Sequence, residues 1–376
     1  MIYLDNAANT PVDPQVLRVF HDVAMQFPAN PNARHGAGLA ARARWEQTMG
    51  AIAAALGAQP DEVVLTGGAT ESNNLAIKGI CEKRRKLGRH ILTTKLEHAS
   101  VSGPLAHLAA QDFEVEYAEL RADGIVDLDA LRAALRPDTI LVSVCAVDSE
   151  LGVVQPLQDI ARLTSALPHC ALHTDATQAV GKVHLNLEGA DAVSLTAHKF
   201  HGLTGAGALV LRRGVLLEPQ MHGGLSDTPW RSGTPALALA ASLEQALTAA
   251  VQAQPEALGH ASALNRALRD GLAKLPGVRV NSPAGASPFI LNFSLPGVNT
   301  EAVLQLLSQR DIYVSTKSAC CAPGAPSTPV LALTGDRRAA MSTLRVSLSR
   351  HTTAREIDAF LQALPQAIAE TGKERP

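Results

Sequence analysis

Two charged side chains stand where predicted strands end, and their types could hold a reactive cofactor. Asp175 lies in the run HTDATQ (173–178), and Lys199 lies in the run SLTAHKFHGLTGAG (194–207). Ligands bind at the carboxyl ends of the strands in open α/β sheets. A lysine that follows apolar strand residues is expected to point into a cleft, where it can act as an amine nucleophile. Considered alone, Asp175 is better explained as a helix cap.

A third motif, the run TGGATESNN (66–74), lies between a predicted strand and a predicted helix. The free N–H groups at the start of such a helix, together with the positive end of the helix dipole, favour binding of a phosphate. Thr70 adds a hydroxyl donor. Considered alone, this motif is more simply a glycine turn in which Thr70 caps the helix.

The three motifs together, in this order, match the requirements of pyridoxal 5'-phosphate. The helix start would take the phosphate, Asp175 would keep the pyridinium nitrogen protonated, and Lys199 would bind the cofactor covalently. Each motif is weak evidence alone, whereas the combination strongly indicates this cofactor.

The composition excludes several other classes of protein. The chain has 376 residues, of which 46% are apolar, which is typical of a globular protein. Its formal net charge of −2 does not indicate binding to nucleic acid or to an anionic membrane surface. No membrane span and no secretory leader is predicted. The five cysteines form no Cys-x-x-Cys pair, so we expect neither a disulfide framework nor a metal site, and a cytoplasmic location.

Short β-branched runs alternate with Ala- and Leu-rich helical stretches, which predicts an α/β fold with a mostly parallel sheet. The predicted strands of this seven-stranded sheet cover residues 62–66, 90–94, 114–117, 139–144, 171–174, 192–195 and 208–211. Helices are predicted at residues 39–56, 72–86 and 157–166, among others. Nearly continuous apolar runs indicate strands that are covered on both faces.

After about residue 235 the pattern changes to that of an α+β domain. A helix is predicted over residues 236–251, and the pattern leaves open whether it continues beyond Pro255. Short strands at 278–281, 290–294, 313–315 and 344–347 and helices at 300–310 and 354–369 follow. We therefore expect a large α/β domain over residues 13–253 and a smaller α+β domain formed by residues 254–376 and 1–12.

The sequence resembles the cysteine desulfurases of the iron–sulfur-cluster and nitrogen-fixation type, which are class V aminotransferases with the type I fold of pyridoxal-phosphate enzymes. The resemblance runs from residue 2 to about 369. It is carried by YLDNAANTP (3–11), NPNARH (30–35), GATESNN (68–74), EH (97–98), DATQ (175–178), HK (198–199), MHGG (221–224), RSGT (231–234), SAC (318–320) and LRVSL (344–348). The SAC run narrows the resemblance to desulfurases.

The resemblance implies a role for individual residues. Lys199 would hold the cofactor and move the Cα proton, Asp175 would pair with the pyridinium, and His98 would stack on the ring and act as an acid or base. Gln178 and Ser149 would face the phenolic oxygen. The remaining roles are phosphate binding by Ala69, Thr70, Thr196 and His198, phosphate binding in the neighbouring subunit of a homodimer by Thr234, and substrate-carboxylate binding by Arg345 with help from Asn32.

Cys320 is the nucleophile that the resemblance implies. It would take sulfur from L-cysteine as a persulfide and pass it to an acceptor protein, such as an iron–sulfur scaffold or a thiolation enzyme. The chain departs from the family pattern at Ser149, where an Asn is usual, at Lys317, where a Gly is common, and at Cys321, which adjoins the nucleophile.

Two other interpretations remain open at the level of sequence. The departure at Ser149 is compatible with a related pyridoxal-phosphate lyase, desulfhydrase or aminotransferase that does not use Cys320. A noncatalytic scaffold that kept the fold is the other alternative, although Lys199, Asp175, His98 and Arg345 are all present.

Overall fold

The computed structural model of the chain describes residues 1–224, 227–317 and 324–371. Its strands, in chain order, are β1 (Ile2–Tyr3), β2 (Val63–Thr66), β3 (His90–Thr93), β4 (Glu114–Tyr117), β5 (Thr139–Ser143), β6 (Ala171–Asp175), β7 (Ala192–Thr196), β8 (Gly207–Leu211), β9 (Arg279–Val280), β10 (Ile290–Ser294), β11 (Ile312–Tyr313) and β12 (Thr343–Ser347). Its helices are α1 (Pro14–Gln26), α2 (Gly36–Ala55), α3 (Ala69–Arg84), α4 (Ala99–Ala109), α5 (Leu128–Ala134), α6 (Leu157–Thr164), α7 (Leu237–Leu272), α8 (Thr300–Ser308), α9 (Thr328–Thr334), α10 (Arg337–Met341) and α11 (Ala354–Thr371).

The central sheet has seven strands in the order β2-β8-β7-β6-β5-β3-β4. Strands β3 to β7 pair in parallel, and β8 runs antiparallel to both β2 and β7. The predicted α/β fold with a mostly parallel seven-stranded sheet is therefore confirmed. Since ligands of open α/β sheets bind outside the carboxyl ends of the parallel strands, the carboxyl ends of β6 and β7 are suited to a ligand site.

Helices cover both faces of this sheet, which explains why its strands read as continuous apolar runs. Along β3, Leu92 packs into the core shared with α1, α2 and α7, whereas its neighbour Ile91 packs into the core shared with α3 and α4. In β2, Val63 likewise packs into the first of these cores and Val64 into the second. Alternate side chains along one strand thus fill two different cores.

A second, antiparallel sheet of order β12-β10-β9 lies in the C-terminal part of the chain. Phe293 and Val346 from this sheet pack with Phe360 of α11 and with Leu4, from the other end of the chain. Strand β1 pairs in parallel with β11. The first residues of the sequence are therefore built into the C-terminal part of the fold.

Helix α7 links the two parts as one continuous helix of 36 residues that passes through Pro255. Leu243 and Leu247 in its first half pack in the core of the large sheet, whereas Leu264 and Leu268 in its second half pack in the C-terminal core. We propose on this basis that the two domains meet within α7, near residues 253–254. Among the described helices, none combines the length and apolar character that a membrane crossing requires.

Candidate active site

A cavity of about 680 Å³ opens at the carboxyl ends of β6 and β7. Ten of the residues predicted from the sequence line it, although they come from distant parts of the chain. They are Ala69, Thr70, His98, Ser149, Asp175, Gln178, Thr196, His198, Lys199 and Arg345. The fold therefore brings together side chains from the start of α3 to β12 in one cavity of a size that suits a cofactor with its substrate.

Two predicted residues are placed differently, and a third is not described. Asn32 and Thr234 are exposed and are not among the residues that line this cavity. Cys320 lies outside the described residues. The roles predicted for these three residues stay predictions.

The start of α3 forms a tight backbone cradle at one end of the cavity. Gly68, at its N-cap, has a φ of 144°, and a Cβ added there would lie 3.3 Å from Thr196 Oγ1. A Cβ added at Gly207 would lie only 2.5 Å from the Cα of Gly68. Only glycine permits this approach between α3 and β8. The first N–H groups of α3 are thereby held against the end of β7 beside the hydroxyl of Thr196.

His198 stands beside this cradle, with Nδ1 3.0 Å from Thr196 Oγ1. Burial lowers the pKa of His198 to about 4, and the cations of Lys199 and Lys182 contribute to this shift. The imidazole is therefore neutral near pH 7. An anion that bound at the cradle would oppose the effect of the two lysines and hydrogen-bond to the N–H and O–H groups there.

Lys199 lies in a short 3-10 turn, Ala197–Lys199, that follows β7. Its Nζ donates hydrogen bonds to the carbonyl oxygens of Ala7, at 2.8 Å, and Ala8, at 2.6 Å. The backbone N–H of Thr10 donates to the carbonyl of His198, so the N-terminal segment is fixed across this turn. The lysine amine is held in the cavity by backbone oxygens.

Asp175 ends β6 with both carboxylate oxygens hydrogen-bonded. Its Oδ1 accepts from the backbone N–H of Thr177 at 2.9 Å, and its Oδ2 accepts from Asn73 Nδ2 at 2.8 Å. The same nitrogen of Asn73 donates to Ser100 Oγ at 2.8 Å, and Ser100 Oγ lies 2.8 Å from His98 Nδ1. Sequence reasoning gave Asn73 and Ser100 no role, because Asn73 joins Ser100 to Asp175, which lies 102 positions further along the chain.

Gln178 is also fixed at both ends of its amide. Its Nε2 donates to the carbonyl of Ala7 at 2.8 Å, and its Oε1 accepts from Lys182 Nζ at 2.7 Å. Lys182 is only 7% exposed. Burial, followed by the Lys199 and Arg345 cations, lowers the pKa of Lys182 to about 7. No motif in the sequence marked Lys182 as part of the site.

Arg345 lines the same cavity and is 2% exposed. One terminal nitrogen donates to Asp5 Oδ1 at 2.8 Å, and the other donates to the carbonyl of Ser149 at 3.0 Å. Its Nε–H is buried and has no hydrogen-bond partner within the described part of the chain. A guanidinium with free donors next to a cavity is suited to a carboxylate.

The loop that carries Ser149 is anchored by two buried acids. Asp148 accepts hydrogen bonds from the backbone N–H groups of Glu150 and Leu151, and Glu150 Oε2 accepts from Ser327 Oγ at 2.5 Å. Burial, and after it the charge of Glu150, raises the pKa of Asp148 to about 7. Because Ser327 caps α9, this loop is tied to the C-terminal part of the fold.

The comparisons with known proteins agree with this fold and site. Residues 2–360 match the family model described as aminotransferase class-V. The chain is 39% identical to a protein named cysteine desulfurase IscS from Vibrio atlanticus, over 98% of this chain and 92% of that protein. Among solved structures, a NifS-like protein has a TM-score of 0.92 at 34% identity and covers 98% of this chain and 99% of its own.

A further solved structure, described as SspA in complex with cysteine, has a TM-score of 0.81 at 31% identity and covers 94% of this chain and all of its own. The fold, the cavity and these matches agree with one another. The chain belongs to the class V aminotransferase family, within its group of NifS- and IscS-type cysteine desulfurases.

Proposed function

We propose that the protein converts L-cysteine and the thiol of Cys320 into L-alanine and a persulfide on Cys320. The sulfur atom leaves the substrate and joins the enzyme thiol, so the reaction needs no external oxidant or reductant. The single observation that carries this proposal is the convergence of Lys199, Asp175 and Arg345 on one cavity, in a chain of the desulfurase family. The SspA structure, described as a complex with cysteine, supports L-cysteine as the substrate.

The residues present fit pyridoxal 5'-phosphate as the cofactor. The glycine cradle with Ala69, Thr70, Thr196 and His198 suits the phosphate, because it offers N–H and O–H donors at a helix start beside two cations. Asp175 would hold the pyridinium, and Lys199 would hold the cofactor covalently. When bound, this cofactor supplies an electron sink for the carbanion formed at the substrate Cα.

The other groups of the cavity would bind and orient the substrate. The guanidinium of Arg345 would take the substrate carboxylate through its free donors. The help that the resemblance implies from Asn32, which does not line the cavity, stays a prediction. Lys199 Nζ would accept the proton from Cα and return a proton to the product. Gln178 would donate its second Nε2–H towards the phenolic oxygen, and Ser149, whose side chain is shorter than the usual Asn, would approach the same atom.

Transfer of the sulfur requires partners beyond this chain. The proposed acceptor is a protein such as an iron–sulfur scaffold or a thiolation enzyme, which would receive the persulfide sulfur from Cys320. We also propose a homodimer in which Thr234 reaches the phosphate bound by the other subunit, and its exposure supports that role. A cytoplasmic location stays a prediction from the sequence.

The decisive experiment measures alanine formed from L-cysteine in the presence of a reductant. Cys320→Ala is expected to abolish turnover and keep the cofactor absorbance, whereas its neighbour variant, Cys321→Ala, keeps most of the activity. Full activity of Cys320→Ala would overturn the persulfide proposal. That result would support a lyase, desulfhydrase or aminotransferase reaction, the alternative that Ser149 in the cavity favours.

A further inference from the structure

The imidazole of His98 is held by two donors on one ring nitrogen. His98 is the N-cap of α4, and its Nδ1 accepts the backbone N–H of Ser100 at 3.1 Å. Ser100 Oγ lies 2.8 Å from the same Nδ1. A ring nitrogen that accepts an N–H carries no proton, so the neutral ring has its proton on Nε2.

Asn73 decides which way the Ser100 hydroxyl points. Its Nδ2 donates one hydrogen to Asp175 Oδ2 and the other to Ser100 Oγ, both at 2.8 Å. Ser100 Oγ therefore receives a hydrogen from Asn73 and has its own hydrogen free for His98 Nδ1. Asn73 is fully buried and Ser100 is 7% exposed, so water does not compete readily for these bonds.

We propose that Ser100 and Asn73 are positioning residues that hold His98 as its Nε2–H tautomer, so that His98 offers the cavity a hydrogen-bond donor and not a base. The inference concerns the same site as the proposed function and rests on that function for its catalytic consequence. Nδ1 is occupied, and Nε2 already carries the proton. Abstraction of the substrate proton then falls to Lys199.

The charges around His98 are consistent with a neutral ring. Burial is the main cause that lowers the pKa of His98, and the cations of Lys199 and Arg345 act in the same direction. The carboxylates of Asp175 and Glu150 oppose them. A protonated Nδ1 could no longer accept the hydrogen bond from the Ser100 N–H. The Ser100 hydroxyl hydrogen would then face the N–H of the ring, which is also a donor.

Histidine NMR tests this arrangement without turnover. The protein, with and without bound cofactor, is labelled with ¹⁵N-histidine, and the His98 signals are assigned by their loss in His98→Gln. We expect an unprotonated Nδ1 and a protonated Nε2 in the wild type, with protonation only below the ordinary histidine range. Ser100→Ala should move the protonation of His98 to higher pH, and Ser100→Thr should restore the wild-type behaviour.

Asn73→Asp provides a second, independent test. The introduced carboxyl would share one proton with Asp175, which lies 2.8 Å from this position, and its other oxygen would accept the Ser100 hydroxyl hydrogen. That hydrogen is thereby turned away from His98, so the protonation of His98 should move further upward than in Ser100→Ala. Ser102→Ala, at an exposed serine on the same helix, is the matched control and should change nothing. Wild-type tautomer and titration in both Ser100→Ala and Asn73→Asp would overturn the proposal, as would a protonated Nδ1 in the wild type.

The pH profile of alanine formation then tests the catalytic consequence. If the reaction requires neutral His98, the fall of kcat/KM at low pH should begin at a higher pH in Ser100→Ala. In Ser100→Thr it should begin at the wild-type pH. An unshifted fall together with a shifted His98 titration would show that His98 has no part in turnover. Absence of alanine formation in the wild type would instead refute the proposed function, and the NMR result would still decide the inference.

Discussion

Lys182 is buried, and the free energy required to keep its ammonium group charged in the folded chain should lower the stability of the protein measurably. Burial, together with Lys199 and Arg345, lowers its pKa to about 7 in the folded chain, whereas an unfolded lysine has a pKa of about 10.4. Between these values the unfolded chain binds more protons, so the free energy of unfolding rises with pH. The loss of unfolding free energy caused by the buried charge is complete below the pKa that Lys182 has in the folded chain. It becomes smaller as the pH rises above that value. Lys182→Met removes this dependence.

Between the pKa of Lys182 in the folded chain and its pKa in the unfolded chain, the free energy of unfolding should rise by about 1.4 kcal/mol for each pH unit. Because Lys182 is already half deprotonated near pH 7, the wild type should gain about 2 kcal/mol relative to Lys182→Met between pH 7 and pH 9. Urea unfolding of the cofactor-free protein, followed by circular dichroism at pH 7, 8 and 9, measures this difference. Titrating groups that do not interact with Lys182 contribute equally to both proteins and cancel.

Lys274→Met, at an exposed lysine, is the control and should follow the wild type at every pH. Parallel curves for wild type and Lys182→Met would refute the reasoning, because they would show that Lys182 titrates alike in the folded and unfolded chains. Added pyridoxal 5'-phosphate should reduce the difference, since its negative charges favour the ammonium form.

Three further predictions concern the site and its supports. Lys199→Ala should lose the covalent cofactor absorbance and lower alanine formation by at least about 10³-fold, and retained turnover would contradict the role of its amine. Arg345→Lys keeps the charge but loses the forked donors, so KM for L-cysteine should rise about 10- to 100-fold, with an unchanged KM as the contrary result. Ser327→Ala removes both the α9 cap and the partner of Glu150, so urea unfolding should show a loss of about 1–3 kcal/mol; a loss below about 0.5 kcal/mol would mean that this contact is not stabilising.

The large sheet could be predicted because its local signal is strong. Residues such as Ile140, Leu141 and Val142 in β5 are covered on both faces, which gives the short, continuous apolar run that is typical of a buried strand. The C-terminal part was predicted less well. Strand β9 has two residues where four were expected, and the short helices α9 and α10 were not anticipated. Elements of this length are fixed by tertiary packing more than by their own sequence.

The sequence likewise indicated some of the residues at the cavity and not others. Asp175 and Lys199 were found because their types are unusual directly after buried strands. Asn73, Ser100 and Lys182 were not, since an amide, a hydroxyl or a lysine on a helix or loop has many ordinary explanations. The role of Asn73 also depends on Asp175, which lies 102 positions further along the chain, and only the folded chain shows such a pair.

The pairing of the first residues with β12 has a consequence for the time at which activity can arise during synthesis. Ser347 N–H donates to the carbonyl of Leu4, and Asn6 Nδ2 donates to the carbonyl of Ser347 across a sequence separation of 341 positions. At about 5–20 residues per second, a ribosome needs roughly 20 to 70 seconds to make that interval. The segment of Ala7 and Ala8, whose carbonyls hold Lys199, therefore gains its anchors to Ser347 only after β12 has been translated. A nascent chain that stalls before β12 would carry the lysine and the aspartate without Arg345, which delays the chemistry until β12 has been made.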